Sequence, residues 1–154
     1  MFPSSEAVPG AASLRAMTLS DIAIQWRGEF TSGEANALHA EAFATRLFSD
    51  EEWDWRRQVE QHSLGWVTAR DGENTLVGFV NVIGDGLVHA WIQDVMVAGA
   101  SQRNGVGAAL VAETRERTAQ AGCEWLHVDF EEHLKPFYFD ACGFRPVTAG
   151  LIAL

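Results

Sequence analysis

Short apolar stretches bounded by turn-forming residues recur along the chain and predict β-strands. They cover residues 22–27, 64–69, 76–82, 88–97 and 125–130. An Asp-Gly-Glu-Asn turn at 71–74 joins the second and third strands, and Asp85-Gly86 marks another turn after the third. A last stretch, 144–154, is predicted as a final extended strand.

Between these strands, apolar residues recur every three or four positions and predict helices. Thr31 or Ser32 is a suitable N-cap for the first helix, which runs through Phe43. Asp50 is expected to cap a second helix, which carries Trp53, Arg56 and Val59.

Two further helices are predicted in the second half of the chain. The longer one covers 106–121, is supported by a Glu113–Arg117 pair four residues apart, and stops at Gly122. The shorter one covers 134–142 and ends at Gly143. The order of elements predicts an α/β fold, in which a mixed sheet carries helices on its faces.

Length and composition fit one domain. The chain has 154 residues, of which 47% are hydrophobic and 21% charged. Residues 1–18, rich in Pro, Ser, Ala and Gly, are expected to form a flexible tail before a single domain at 19–154. No stretch reaches the roughly 20 apolar residues of a membrane span, and the start does not resemble a secretory signal. Cys123 and Cys142 lack metal-type spacing, so we expect a cytoplasmic protein with reduced cysteines.

The net charge of −10 narrows the class of partner. Nucleic-acid phosphates require Lys and Arg surfaces, so we expect no nucleic acid as a main partner. An acidic surface mildly favours a cationic ligand such as an amine, although it also suits an ordinary acidic domain.

The segment from Gln102 to Gly107 carries the strongest indication of function. It lies between a predicted strand and the long predicted helix, where the first helical amides lack internal partners and attract anions. Gly105 and Gly107 would let a phosphate approach the main chain closely. A dinucleotide loop would need a third glycine where Leu110 stands, and a triphosphate loop would need a lysine, whereas the only lysine is Lys135.

Three segments in the correct order resemble the GNAT superfamily of acetyl-CoA-dependent N-acetyltransferases. Gln102, Gly105 and Gly107 match the pattern Q/R-x-x-G-x-G/A, and residues 137–144 match F-Y-x-x-x-x-G-F. The strand at 94–97 resembles the one that leads into the loop, and the resemblance spans about residues 75–146. It implies a GNAT-like acyl-CoA N-acyltransferase fold, with a mixed, mostly antiparallel central sheet flanked by helices.

The resemblance also implies where acetyl-CoA would bind. Met96 and Val97 would offer main-chain groups to pantetheine, and the Val97 amide would stabilise the oxyanion at the thioester carbonyl. Arg103 would additionally meet phosphate through its guanidinium, unless it is a solvated surface side chain. The loop amides that would hold the pyrophosphate belong to Gln102, Arg103, Asn104, Gly105, Gly107 and Ala108.

Catalytic roles follow from the same resemblance. Tyr138, the only tyrosine, would lie near the coenzyme sulfur and protonate the departing thiolate. Asp94 is the first candidate for the base that takes a proton from the amine. The alternatives are Glu131, Glu132, His127 and Asp129.

Two positions depart from the family pattern. Glu131 replaces a frequent asparagine that bonds the coenzyme, which puts that contact in doubt because a carboxylate cannot donate. Gly99 replaces a frequent proline two residues after the strand, which predicts a looser turn.

The predicted function is therefore transfer of acetyl from acetyl-CoA to a primary amine, by direct attack in a ternary complex and without a metal. The acceptor, a small molecule or a peptide, stays open, and the family permits a homodimer. The alternatives are a non-catalytic acyl-CoA-binding sensor or scaffold and a nucleotide-binding fold. Four tryptophans are candidates for the acceptor pocket wall, although core packing is their more common role: Trp53, Trp55, Trp66 and Trp91.

Overall fold

A five-stranded sheet forms the centre of the computed structural model, which describes residues 16–154. The prediction of a tail at 1–18 lies mostly outside the described residues. A short 3₁₀ turn at Leu19–Asp21 precedes the first strand. No helix in the described range is long and apolar enough to cross a membrane.

The strands stand side by side in their sequence order, and the first four are antiparallel to one another. The fifth is parallel to the fourth. This confirms the predicted mixed, mostly antiparallel sheet. The strands are β1 (Ala23–Trp26), β2 (Gly65–Arg70), β3 (Leu76–Gly84), β4 (His89–Val97) and β5 (Trp125–His127).

The end of the sheet differs from the sequence prediction in two respects. The fifth strand ends at His127 instead of continuing to residue 130. The final strand predicted at 144–154 is wrong, because this segment forms no strand and leaves side chains such as Val147 and Leu151 exposed.

Helices cover both faces of the sheet. α1 (Ser32–Phe43) and α2 (Trp55–His62) pack on the face that carries Trp66 and Phe79, whereas α3 (Val106–Gln120) packs on the opposite face. Because both faces are buried, β2 and β3 are apolar almost throughout instead of alternating with polar residues.

The N-terminal ends of α1 and α2 are capped by polar side chains. Thr31 caps α1 as predicted, in a capping box whose second member is Glu34. α2 is capped by Asp54, so the prediction of a cap at Asp50 is wrong. Asp50 instead accepts a hydrogen bond from the side chain of Asn36 on α1, and Trp53 lies before α2.

The segment after β5 is more irregular than the single short helix predicted at 134–142. It contains a 3₁₀ turn at Glu132–Leu134 and a π-helix at Pro136–Ala141. Gly143 follows with φ of 77°, a conformation that glycine adopts without a steric penalty. The predicted stop is therefore confirmed, whereas the helix type is not.

Candidate active site

A gap opens beside the second half of β4. β4 and β5 pair from His89 and Trp125 to Trp91 and His127, and the pairing ends there. β4 continues to Val97, while β5 ends. The main chain of residues 92–97 is thus left without a neighbouring strand on the side of β5.

A β-bulge at Asp94 changes the direction of β4 within this gap. The β3–β4 register shifts between Phe79 and Asn81, opposite Asp94. Asp94 has φ of 53°, which is uncommon for a residue with a side chain. Such backbone strain is often found at functional sites.

The register beyond the bulge determines which peptide groups face the gap. The Ala98 N–H donates to the Val77 carbonyl at 2.8 Å, so Gly78 and Val97 form the next, non-hydrogen-bonded pair. The Val97 N–H therefore points away from β3 and toward the gap. Met96 pairs with Phe79 by the same alternation, which puts its peptide groups on the β3 side instead of the gap.

The loop after β4 leads into α3 without a side-chain cap. Gly105 is the N-cap residue with φ of 82°, and no side chain bonds the first turn. In the described part of the chain, no acceptor engages the N–H groups of Val106, Gly107 or Ala108. These amides and the helix dipole make the start of α3 suitable for an anion.

Not every predicted loop residue offers a free amide. The Gln102 N–H donates to the Gly99 carbonyl at 3.3 Å, and the Gln102 side-chain amide donates to the Val97 carbonyl at 3.2 Å. Arg103 is exposed, with φ of 64°, and Asn104 is half-buried. Gln102 thus fixes the turn after β4 instead of presenting its N–H to solvent.

Three parts of the predicted site meet at Gly107. A Cβ added to this residue would lie 3.1 Å from Phe137 Cζ and 3.7 Å from Val97 Cγ2. The start of α3, the end of β4 and the π-helix therefore converge, and a side chain at position 107 would crowd the Phe137 ring.

Tyr138 lies on the π-helix next to this meeting point. Its side chain is 5% exposed and stacks on Phe130, with the ring centroids 4.4 Å apart. Burial raises the pKa of Tyr138 to about 12, and the nearby Cys142 and Asp129 act in the same direction. The phenol therefore keeps its proton at neutral pH, as a proton donor requires.

Asp94 lies on the face of the sheet that α1 and α2 cover. Burial raises the pKa of its carboxyl, while the Asn81 side chain and His39 partly oppose the shift. Asn81 Nδ2 donates to Gln58 Oε1 at 3.0 Å, and Asn81 Oδ1 accepts from the Ser63 hydroxyl. Asp94 is thus a partly buried acid at the edge of a polar cluster.

His39 and Asn81 were not among the predicted site residues. Asn81 lies in the otherwise apolar β3 and His39 in the mixed helix α1, and only the tertiary packing of α1 and α2 on β3 and β4 brings them close to Asp94. His39 Nδ1 lies 3.3 Å from the Thr45 hydroxyl. Because that hydroxyl donates to the Arg46 carbonyl, His39 Nδ1 is the donor to Thr45.

The other candidates for the base are placed differently. His127 Nε2 lies 2.7 Å from His89 Nδ1, and the two rings stack with Trp91, so His127 pairs with a histidine instead of Asp129. Glu131 and Glu132 are exposed, with His133 and Lys135 as respective partners.

The tryptophans divide between the core and the surface. Trp55 and Trp66 are buried in the core beneath α1 and α2. Trp53 is 37% exposed and stacks on Trp55, with 5.8 Å between the ring centroids. Trp91 is half-buried beside the two histidines. Trp53 and Trp91 are therefore the two candidates whose rings remain accessible.

The described residues contain no group of three or more His, Cys, Asp or Glu side chains that would hold a metal ion. Cys123 and Cys142 are free, and burial raises the pKa of both thiols. A raised pKa makes a thiol a poorer nucleophile at neutral pH.

The chain matches a known protein family over most of its length. The family model described as "Acetyltransferase (GNAT) family" matches residues 25–144. No curated protein sequence matches the chain.

Solved structures share the fold. An acetyltransferase from Trypanosoma brucei is 19% identical with a TM-score of 0.72, covering 86% of this chain and 99% of that one. A GNAT family acetyltransferase from Streptococcus pneumoniae TIGR4 is 25% identical with a TM-score of 0.65, covering 86% and 97%. An aminoglycoside acetyltransferase from an uncultured soil metagenomic sample is 18% identical with a TM-score of 0.67, covering 88% and 98%.

Proposed function

Because the chain belongs to the GNAT family of acetyltransferases, we propose that it transfers the acetyl group of acetyl-CoA to a primary amine by direct attack in a ternary complex. The observation that carries this proposal is the convergence at Gly107 of the start of α3, the end of β4 and the helix of Tyr138. An anion site, an open strand edge and a neutral phenol then lie within one region.

Coenzyme binding is supported by three features. The N–H groups of Val106, Gly107 and Ala108 lack acceptors within the described range, which suits a diphosphate. The gap beside β4 suits pantetheine, which would bring the thioester carbonyl to the Val97 N–H. Arg103 is exposed beside the same loop and supplies a cation for phosphate. Of the remaining predicted loop residues, Asn104 and Gly105 have main-chain groups near the diphosphate in this proposal.

The reaction divides between two side chains. The amine binds as its ammonium form, and the Asp94 carboxylate accepts one proton from it. The free amine attacks the acetyl carbon, forming the C–N bond, while the carbon–sulfur bond breaks. The Val97 N–H stabilises the negative charge on the carbonyl oxygen while the C–N bond forms, and the phenol of Tyr138 protonates the departing sulfur. The nitrogen then releases its second proton, which restores the phenol of Tyr138 through solvent, and Asp94 returns its proton to solvent. Burial raises the pKa of Asp94 and so makes its carboxylate a better proton acceptor, whereas the Lys135 hydrogen bond lowers the pKa of Glu132.

The acceptor proposed here is a cationic amine. The net charge of −10 attracts cations over long distances. One protein with the same fold is an aminoglycoside acetyltransferase, which is consistent with a polycationic acceptor without identifying it. Trp53 and Trp91 offer accessible ring faces that suit a cation.

The test is an amine panel in which coenzyme A release is measured with a thiol reagent and products by mass spectrometry. The panel contains aminoglycosides, polyamines, amino acids and peptides. We expect acetylation of at least one cationic amine, with Tyr138→Phe as a variant of reduced turnover. Tight coenzyme A binding without turnover of any amine would favour a non-catalytic binding module instead.

A further inference from the structure

Glu41 on α1 forms a bond to the loop that leads into the start of α3. The Gly99 N–H donates to Glu41 Oε1 at 2.6 Å, across 58 positions of sequence. Gly99 opens the 3₁₀ turn Gly99–Ser101, which follows β4 directly. A carboxylate that accepts a main-chain N–H at this distance forms a short, charge-assisted hydrogen bond.

This bond exists because position 99 is not proline. Proline has no N–H, so a proline here would leave the Glu41 carboxylate without this partner. The sequence predicts a looser turn at Gly99. The structure instead has the turn fixed by the Glu41 bond, by the Ser101 N–H to the Ala98 carbonyl at 2.8 Å, and by the Gln102 side chain.

The same bond joins two functional regions. α1 also carries His39, which lies near Asp94 and lowers the pKa of that carboxyl. The Asn36 side chain on the same helix donates to the Asp50 carboxylate and to the Trp53 carbonyl, both in the segment before α2. Two residues beyond His39, Glu41 reaches the other side of the site, where the loop begins. One helix therefore contacts both the acceptor side and the entrance to the anion-binding loop.

We propose that Glu41 is a positioning residue for the coenzyme loop: its carboxylate holds Gly99 and thereby fixes the segment that presents the α3 amides to the diphosphate. This inference rests on the proposed binding of coenzyme A. Glu41 does not touch the coenzyme in this proposal, and it acts through the main chain of Gly99.

The sign of the expected effect separates this role from simple electrostatics. Coenzyme A is a polyanion, so removing a carboxylate near its site should strengthen binding if charge alone mattered. A positioning role predicts the opposite, because a loop that loses its fixed geometry must be ordered when the ligand binds. Weaker binding after loss of Glu41 therefore cannot come from the charge.

The experiment measures coenzyme A binding by calorimetry in three variants. We expect Glu41→Ala to raise the Kd about fivefold, the loss of about one hydrogen bond. Glu41→Gln removes the same charge but keeps an acceptor oxygen, so it should lie nearer to the parent protein. Glu73→Ala is the control, since this exposed turn residue has no side-chain partner among residues 16–154.

A double-mutant cycle tests whether Glu41 acts through Gly99. Gly99→Pro removes the donor at the first position of a helical turn, where proline is tolerated. Glu41→Ala should then have no further effect on the Kd in the Gly99→Pro background. An equal effect of Glu41→Ala in both backgrounds would overturn the proposal.

Amide exchange gives a readout that needs no ligand. In the coenzyme-free protein, the Gly99 amide should exchange about fivefold faster in Glu41→Ala than in the parent, as measured by NMR. Unchanged exchange and unchanged coenzyme A affinity in Glu41→Ala would overturn the positioning role alone. Failure of the parent protein to bind coenzyme A would instead contradict the proposed function.

Discussion

At the scale of single residues, Tyr138 is buried and keeps its phenol proton at neutral pH. Its pKa of about 12 keeps the phenol neutral, and its ring is fixed by stacking on Phe130. We expect Tyr138→Phe to lower kcat on the order of 10²-fold while the Kd for acetyl-CoA changes little, because the ring packing survives. Steady-state kinetics and calorimetry measure the two quantities. An unchanged kcat would remove Tyr138 from the mechanism.

Asp94 should be required for proton transfer from the amine. Asp94→Asn keeps the shape of the side chain and tolerates the positive φ at the bulge, since asparagine is favoured in that region. We expect kcat/KM at neutral pH to fall on the order of 10²-fold. A variant that kept full activity would shift the role of the base to another group, with His39 the first to examine.

The same substitution should stabilise the fold at neutral pH. The pKa of Asp94 is raised in the folded protein, so the folded state holds its proton more tightly than the unfolded state. The contribution of Asp94 to stability is therefore complete below its unfolded pKa of 3.8, and it is lost as the pH rises through the raised folded pKa. Urea unfolding at pH 7 should show a higher midpoint for Asp94→Asn, and the gain should vanish near pH 3.

At the scale of elements, Glu34 stabilises the start of α1 in two ways. It completes the capping box with Thr31 and forms a bidentate salt bridge with Arg70 on β2. Arg70 Nη1 donates to Glu34 Oε1 at 2.8 Å, and Arg70 Nη2 donates to Glu34 Oε2 at 2.9 Å. We expect Glu34→Ala to cost about 1 kcal/mol of unfolding free energy, mainly through the cap, because the ion pair is partly exposed.

The pH dependence of this variant checks the cause. Hydrogen bonding from Arg70 lowers the pKa of Glu34 below its usual 4.5, despite partial burial. The stabilisation is therefore complete above that value and is lost as the pH falls through the folded pKa. The difference in urea midpoint between the parent and Glu34→Ala should shrink in acid. A constant difference would contradict the ionic contribution.

Local patterns predicted the elements whose ends depend on neighbouring residues. The Thr31 cap and the stop at Gly122 were predicted correctly because each acts within one helical turn. Asp54 and not Asp50 caps α2, and Asp50 instead accepts a hydrogen bond from Asn36, which lies on α1. No local pattern reports a contact of that kind.

The irregular parts of the chain were beyond such patterns for a similar reason. The apolar segment at 144–154 meets the composition of a strand, yet strand formation requires a partner edge. The π-helix at Pro136–Ala141 has the apolar spacing of an ordinary helix. Within the site, Tyr138 and the glycine loop were identified by motif, whereas Asn81, His39 and Glu41 depend on packing.

At the scale of the whole molecule, the net charge of −10 should affect the binding of cationic acceptors but not of neutral ones. Raising the ionic strength from about 0.01 M to about 0.1 M shortens the Debye length from about 30 Å to about 10 Å. We expect the KM of a cationic acceptor to rise up to about 10-fold, while that of a neutral amine stays constant. Equal salt dependence for both amines would contradict long-range attraction.

The bulge at Asp94 has a consequence for how this chain tolerates changes in length. One extra residue reverses the alternation of β4, so Val97 turns its N–H toward the gap and Met96 does not. Deleting one of the two residues that face Val80, Asp94 or Val95, would remove the bulge but leave Met96 opposite Phe79 and Val97 opposite Gly78. The direction of the Val97 N–H is set by the pairing of residues 96–98 with β3, so it should survive the loss of one bulge residue.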